Sequence, residues 1–152
     1  MADFKPVVFK LENELYGLDI NRVQGIEKEQ QVVSVPNTAN YIKGIMNLRG
    51  DVIPVYSLRK KFGMADTTST DTQYIIVRTN GALLALEVDS VDEIHNVESE
   101  DIHMVPSIVN SVDTRYFDRV LKTERGLIIT IDIDKLLSDE EVQQIEQMRE
   151  SF

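Results

Sequence analysis

Two histidines, His95 and His103, stand eight positions apart with Glu98, Glu100 and Asp101 between them. These residue types can hold a divalent cation, but the spacing follows no helical register. The stretch reads as a solvated acidic loop, and no metal is expected. Cysteine is absent, which removes thiolate ligands, disulfides and a thiol nucleophile together. No serine sits in a G-x-S-x-G elbow, and the seven glycines are scattered among turns rather than gathered into a phosphate-cradling loop. Asp132 and Asp134 alternate with Ile131 and Ile133, which puts the carboxylates on the outer face of a strand. No catalytic residue and no cofactor are expected, which leaves binding as the function to look for.

The side chain that stands out is Arg49, within Gly44-Ile45-Met46-Asn47-Leu48-Arg49-Gly50-Asp51-Val52-Ile53-Pro54-Val55. Ile45, Met46 and Leu48 form one apolar run, and Val52, Ile53 and Val55 a second. The polar residues between make a turn in which Gly50 takes a positive φ. By itself this is a β-hairpin with a solvated arginine at its tip. Ser57 is placed to cap a short helix over Leu58–Phe62.

The elements around the hairpin are short. Val7–Leu11 and Leu15–Ile20 read as strands, with Leu18 and Ile20 alternating with Asp19. Val23 and Ile26 follow at intervals of three, which suggests a bent or bulged strand, or a helical turn, leading into Val32–Val35. Asn37–Lys43 reads as a brief helix stopped by Gly44. A Thr-rich polar stretch, Ala65–Thr72, marks the middle of the chain. Strands over Tyr74–Arg78 and Ala82–Val88 follow. Val91 and Ile94 continue at intervals of three, and a further hairpin runs through Tyr116–Leu121 and Leu127–Ile133. A final helix over 138–150 starts at a capping box, Ser138 with Glu141, and carries a stripe of Val142, Ile145 and Met148.

The two halves repeat each other. Leu18-Asp19-Ile20, Val23 and Ile26 match Leu86-Glu87-Val88, Val91 and Ile94 at an offset of 68. Arg49-Gly50-Asp51-Val52-Ile53-Pro54-Val55 matches Arg125-Gly126-Leu127-Ile128-Ile129-Thr130-Ile131 at an offset of 76. Ser107–Thr114 is the natural place for most of the added residues. The halves fall at 7–64 and 73–137, each with about five short strands, and short strands with tight turns favour closed barrels. A barrel of about 60 residues has a marginal core, so two barrels sharing an apolar interface, with exchange of a terminal strand or helix, is the expected solution. A groove between them would be a natural ligand site.

Composition bounds the partners. With 152 residues, 42% apolar and 28% charged, the chain is globular. It has no apolar run of transmembrane length and no secretory signal at Met1–Pro6, so a soluble intracellular protein without membrane insertion is expected. The balance of 16 basic against 26 acidic residues, net −10, repels a phosphate backbone and argues against nucleic acid.

Gly44–Gly50 followed by Val52–Val55 and Leu58–Phe62 resembles the signature of the bacterial chemotaxis coupling family CheW. Tyr16–Ile20 with Val23-Gln24 resembles that family's first block, and Ile131–Leu137 its last. The likeness runs from about Val7 to Leu137, with Ser57 where an aspartate is commoner and Gly25 where an acidic or bulkier residue is common. It implies a single mainly β domain over 1–152, made of two intertwined five-stranded SH3-like β-barrels with short helices and a C-terminal helix. It also implies a non-catalytic adaptor that joins the cytoplasmic tip of a chemoreceptor to the regulatory domain of the histidine kinase CheA. The expected location is cytoplasmic, at membrane-associated receptor arrays. Carried onto this chain, receptor contact would involve Ile20, Val23, Gly25 and Ile26 together with Gly44, Asn47, Leu48, Arg49 and Gly50. Kinase contact is expected at the barrel ends, on no assigned residue. Val23 and Ile26 would either floor a groove for a helix or belong to the core. Arg49 would either brace the barrel junction or meet an acidic receptor residue. A small-ligand-binding or enzymatic protein using an acidic inter-barrel cleft is the alternative.

Overall fold

The computed structural model describes residues 4–28, 31–35, 41–65, 71–79, 81–94, 96–105 and 115–151. The strands are β1 (Pro6–Leu11), β2 (Glu14–Asp19), β3 (Val23–Glu27), β4 (Val33–Ser34), β5 (Ile42–Leu48), β6 (Asp51–Ser57), β7 (Gln73–Thr79), β8 (Ala82–Val88), β9 (Ser90–Ile94), β10 (Ile102–Met104), β11 (Phe117–Thr123) and β12 (Gly126–Ile131). Three helices follow hairpins or end the chain: α1 (Leu58–Lys61), α2 (Ile133–Leu136) and α3 (Asp139–Ser151). The first sheet has the order β10-β11-β12-β2-β1-β9 and the second β3-β7-β8-β6-β5-β4. Among the described residues each sheet thus holds six strands, one more than the five expected. The segment Ile20–Ile26, whose spacing of three suggested a bend, is a 3-10 turn over Ile20–Arg22 followed by the full strand β3.

The sheets do not coincide with the halves 7–64 and 73–137. The second sheet is the continuous run β3–β8, whereas the first joins β1–β2 to β9–β12. Each repeat therefore gives its N-terminal hairpin to the sheet of the other. The seams are two parallel pairings, β12 with β2 (Thr130↔Gly17) and β6 with β8 (Val55↔Ala85). The chain crosses between sheets after β2 and again after β8, at matching places in the repeat.

Strand alternation explains why so many residues are buried on both faces. In β1, Val7, Phe9 and Leu11 point to a large central cluster between the sheets, while Val8 points inside the first sheet. In β7, Ile75 and Val77 join the central cluster, while Tyr74 and Ile76 join Met46, Leu48, Ile53, Val55 and Ala85 inside the second sheet. The two interior clusters are small. The central one takes side chains from both sheets and all three helices, so it does most of what neither sheet could do alone.

Two helix starts follow the sequence closely. Ser57 Oγ accepts from Lys60 N at 3.2 Å and caps α1. Ser138 Oγ accepts from Glu141 N at 3.2 Å, and Glu141 Oε1 accepts from Ser138 N at 2.9 Å, which completes the capping box of α3. Val142 and Ile145 dock that helix on the central cluster.

Other expectations change. Gly44 does not stop a helix; it lies inside β5, where an added Cβ would sit 2.2 Å from the carbonyl oxygen of Val33 on β4. The residue must be glycine because two backbones approach there. Residues 37–40 of the expected helix, 66–70 of the Thr-rich stretch and 106–114 lie outside the described residues, and Ile42 and Lys43, expected in that helix, belong to β5. Asp132 and Asp134 are not on the outer face of a strand. β12 ends at Ile131, and Asp132 caps α2 by accepting from Asp134 N at 3.0 Å.

Candidate functional site

Leu48 pairs with Asp51, leaving Arg49 and Gly50 as a two-residue turn. Both are left-handed, with φ of 51° and 94°, the twist that a tight hairpin requires. Asn47 Oδ1 accepts from Gly50 N at 2.9 Å and fixes the turn. The Arg49 side chain is 75% exposed, with Nη2 at 3.2 Å from Glu27 Oε2 on β3, a largely buried carboxylate. Because β3 is the far edge strand of this sheet, the ion pair ties the hairpin tip across the sheet's open seam. Arg49 is thus a brace, but to a carboxylate within its own sheet, and most of its surface stays in solvent.

The expected site residues do not share one face. Along β3, Val23, Gly25 and Glu27 are half-buried, while Gln24 and Ile26 are exposed. Val23 and Ile20 pack against the central cluster, whereas Ile26, 36% exposed, faces outward. A spacing of three puts residues on one side of a helix but on opposite sides of a strand. An added Cβ at Gly25 meets nothing nearer than Glu27 Oε2 at 3.9 Å, so this glycine leaves the strip beside the ion pair open. Leu48 lies in the interior cluster beneath the hairpin, and Gly44 serves the close approach of β4. Asn47, Arg49, Gly50 and Ile26 are the exposed members, and Gly25 is half-buried beside Glu27. Sequence reasoning passed over Glu27, although it is an acidic residue following an apolar strand. It also passed over Val33, which is 53% exposed on β4.

Two further ion pairs hold the crossings between sheets, and the sequence offered no direct sign of either. Arg22, in the first crossing, makes a two-pronged contact with Asp134 on α2 at 2.8 and 2.6 Å and donates to the carbonyl of Arg78 at 3.1 Å. Thr79 Oγ1 donates to the same carboxylate at 3.2 Å. Hydrogen bonding to Arg22 holds the Asp134 carboxyl below the usual carboxylate range, against a smaller opposing effect of burial. Asp89, in the second crossing, accepts from Arg59 Nε and Nη2 on α1, both at 2.6 Å, and from Glu12 N at 2.7 Å. Burial pushes the Asp89 carboxyl up, but the Arg59 and Glu12 hydrogen bonds and the guanidinium charge together bring it below its ordinary value.

The space between the sheets is filled by the central apolar cluster rather than open as an acidic cleft. Among the described residues no group of histidine and acidic side chains could hold a metal ion, and no helix is long and apolar enough to cross a membrane. His95 lies outside the described residues. His103 lines an apolar groove with Leu15, Tyr16 and Met104 on the first sheet.

The CheW-like domain family matches residues 5–141. The chain is 33% identical over 95% of its length to the chemotaxis protein CheW of Klebsiella aerogenes, of which it covers 88%. It is 32% identical to that of Treponema pallidum, with 93% of this chain and 86% of the relative aligned. It is also similar to a crystal structure of the scaffolding protein TtCheW from Thermoanaerobacter tengcongensis. That likeness has a TM-score of 0.83 and 37% identity, and covers 91% of this chain and 95% of the other. The two sheets with their interior clusters are therefore the paired SH3-like barrels of that fold. These matches mean that the chain belongs to the CheW family of non-catalytic chemotaxis adaptors, which couple receptors to the kinase CheA.

Proposed function

We propose that the exposed strip around the Arg49–Glu27 brace is where this adaptor receives the cytoplasmic tip of a chemoreceptor. Ile26 and Gly25 on β3 and Arg49 and Gly50 at the hairpin tip make the contact. Asn47 and Gly44 hold the hairpin in shape, Leu48 supports it from the interior, and Ile20 and Val23 anchor β3 to the central cluster. The regulatory domain of CheA engages the barrel ends, so one adaptor joins the two partners in arrays on the cytoplasmic side of the membrane.

The observation that carries this reading is a cation three-quarters exposed yet fixed by its turn and by Glu27, a residue of the edge strand β3 whose chain neighbour, Ile26, faces outward. Amphipathic helices dock by setting an apolar ridge on such residues, and a guanidinium held in place meets a carboxylate with little further ordering cost. The chain carries a net charge of −10, so a fixed exposed cation is a local exception that an acidic partner residue can use.

Titration of Arg49→Ala and Ile26→Asp against a receptor-tip peptide and, separately, against CheA tests the reading. Expected is at least a tenfold loss of receptor affinity for each, unchanged CheA affinity, and a melting temperature near that of the parent. Unchanged affinity for both partners at unchanged stability removes these residues from the proposal.

A further inference from the structure

The two crossing ion pairs are equivalent in position and opposite in sign. β2 runs parallel to β12, so the crossing after β2 lies beside α2; β8 runs parallel to β6, so the crossing after β8 lies beside α1. Arg59 on α1 and Asp134 on α2 occupy the same place in the repeat, since Ser57 and Asp132 are the respective helix caps and each ion-pairing residue lies two positions further on. At the offset of 68 that aligns Val23 with Val91, Arg22 aligns with Ser90, next to Asp89. A cation in the first crossing therefore meets an anion on α2, and an anion in the second crossing meets a cation on α1.

We infer that this inversion of charge selects the exchanged pairing of the two repeats over the pairing of like with like. The competing arrangements are close in shape. If β2 paired with β6 of a second copy of the chain, Arg22 would face Arg59. If β8 paired with β12, Asp89 would face Asp134. Both wrong pairings bring like charges together at a seam, half-exposed at Asp134 and shielded at Asp89, and both right pairings give two-pronged guanidinium–carboxylate contacts. Such a selector is needed because a duplicated sequence offers nearly the same apolar pattern to either partner. Exchange between two copies is the usual route to swapped dimers.

Charge reversal in the full-length chain separates selection from simple stapling. R22D/D134R keeps both native pairs attractive but makes both wrong pairings attractive as well. The quadruple variant R22D/D134R/R59D/D89R inverts everything and restores the discrimination. After refolding from denaturant at high protein concentration and low salt, size-exclusion chromatography with light scattering gives the dimer fraction. The double variant is expected to show a several-fold higher dimer fraction than the parent at a similar melting temperature, and the quadruple variant a return to the parent's. R59D/D89R must behave as R22D/D134R does, and it carries the test if the first double variant fails to fold. A double variant as monomeric as the parent, or a quadruple variant that stays dimeric, overturns the inference and leaves the pairs as local staples.

Discussion

The hairpins β5–β6 and β11–β12 are copies of one another that solve the same task at different residues. Their geometric offset is 75, from Leu48↔Asp51 and Thr123↔Gly126 (123 − 48 = 75), not the 76 that aligns the two Arg-Gly pairs. At 75, Ile53 falls on Ile128, both inside their sheets, and Tyr56 on Ile131, both in the central cluster. An offset of 76 would put every side chain on the wrong face. Arg49 thus corresponds to Glu124, and Arg125 to Gly50. Yet each tip ends in the same device, because Arg125 pairs with Asp92 on β9 much as Arg49 pairs with Glu27 on β3. Seam closure by an arginine is common to both copies. What sets the first apart is that its arginine sits on the left-handed turn itself and is 75% exposed, against 38% for Arg125.

The sharpest contrast lies where the edge strand meets each hairpin, Gly44 beside β4 and Arg119 beside β10. Gly44→Ala is expected to cost about 1–3 kcal/mol, because its Cβ would collide with the Val33 backbone, which cannot give way as a side chain could. Arg119→Ala, losing a contact over the Phe4 ring, is expected to cost about 0.5–1 kcal/mol. Urea unfolding of the two variants checks the order, and equal costs would mean that the edges are built alike.

The crossings differ next. Asp89→Asn should lose about 1.5–3 kcal/mol, since Arg59 and Asp89 are both well shielded. Asp134→Asn should lose less than about 1 kcal/mol, because its carboxylate is 55% exposed and screened. Acid unfolding sharpens this. Both carboxyls lie below their ordinary values in the fold, so their stabilisation is complete above the unfolded value of about 3.9 and is lost as pH falls through the lower folded value. Stability curves between neutral pH and pH 2 should therefore flatten more for Asp89→Asn than for Asp134→Asn.

The smallest effect on stability accompanies the largest expected effect on binding. Arg49→Gly removes a side chain from a left-handed position, a gain of about 1 kcal/mol. It also loses an exposed ion pair worth about 0.2–1 kcal/mol, so its melting temperature should barely move. Its affinity for a receptor-tip peptide should fall while that of Arg125→Gly does not. Equal behaviour of the two would dissolve the distinction between the hairpins.

Local features were legible in the sequence to the residue: the caps Ser57 and Ser138, the Gly50 turn and strand β8. These depend on a few neighbours along the chain. The duplication was legible too, but its alignment slipped by one residue because Arg-Gly is a chemical match, whereas register follows from which side chains are buried. The exchange of hairpins was foreshadowed only as a terminal strand or helix, since the same apolar pattern satisfies either pairing. Glu27, Asp89 and Asp134 were missed as partners for a related reason. Each meets an arginine from 22 to 112 residues away, and no local period records such a meeting.

The parallel seam between β2 and β12 also sets a timetable. Tyr16 pairs with Ile129, so the N-terminal hairpin leaves the ribosome more than a hundred residues before its neighbour exists. At about 5–20 residues per second that is a wait on the order of ten seconds. Throughout it Val7, Phe9, Leu11 and Leu18, all destined for the central cluster, have no finished surface to cover them. The continuous second sheet, β3–β8, can close in the meantime and offer the first half of that cluster as a resting place. The N-terminal hairpin is thus among the last elements to be locked through β2, and the sheet made after it acts as its chaperone.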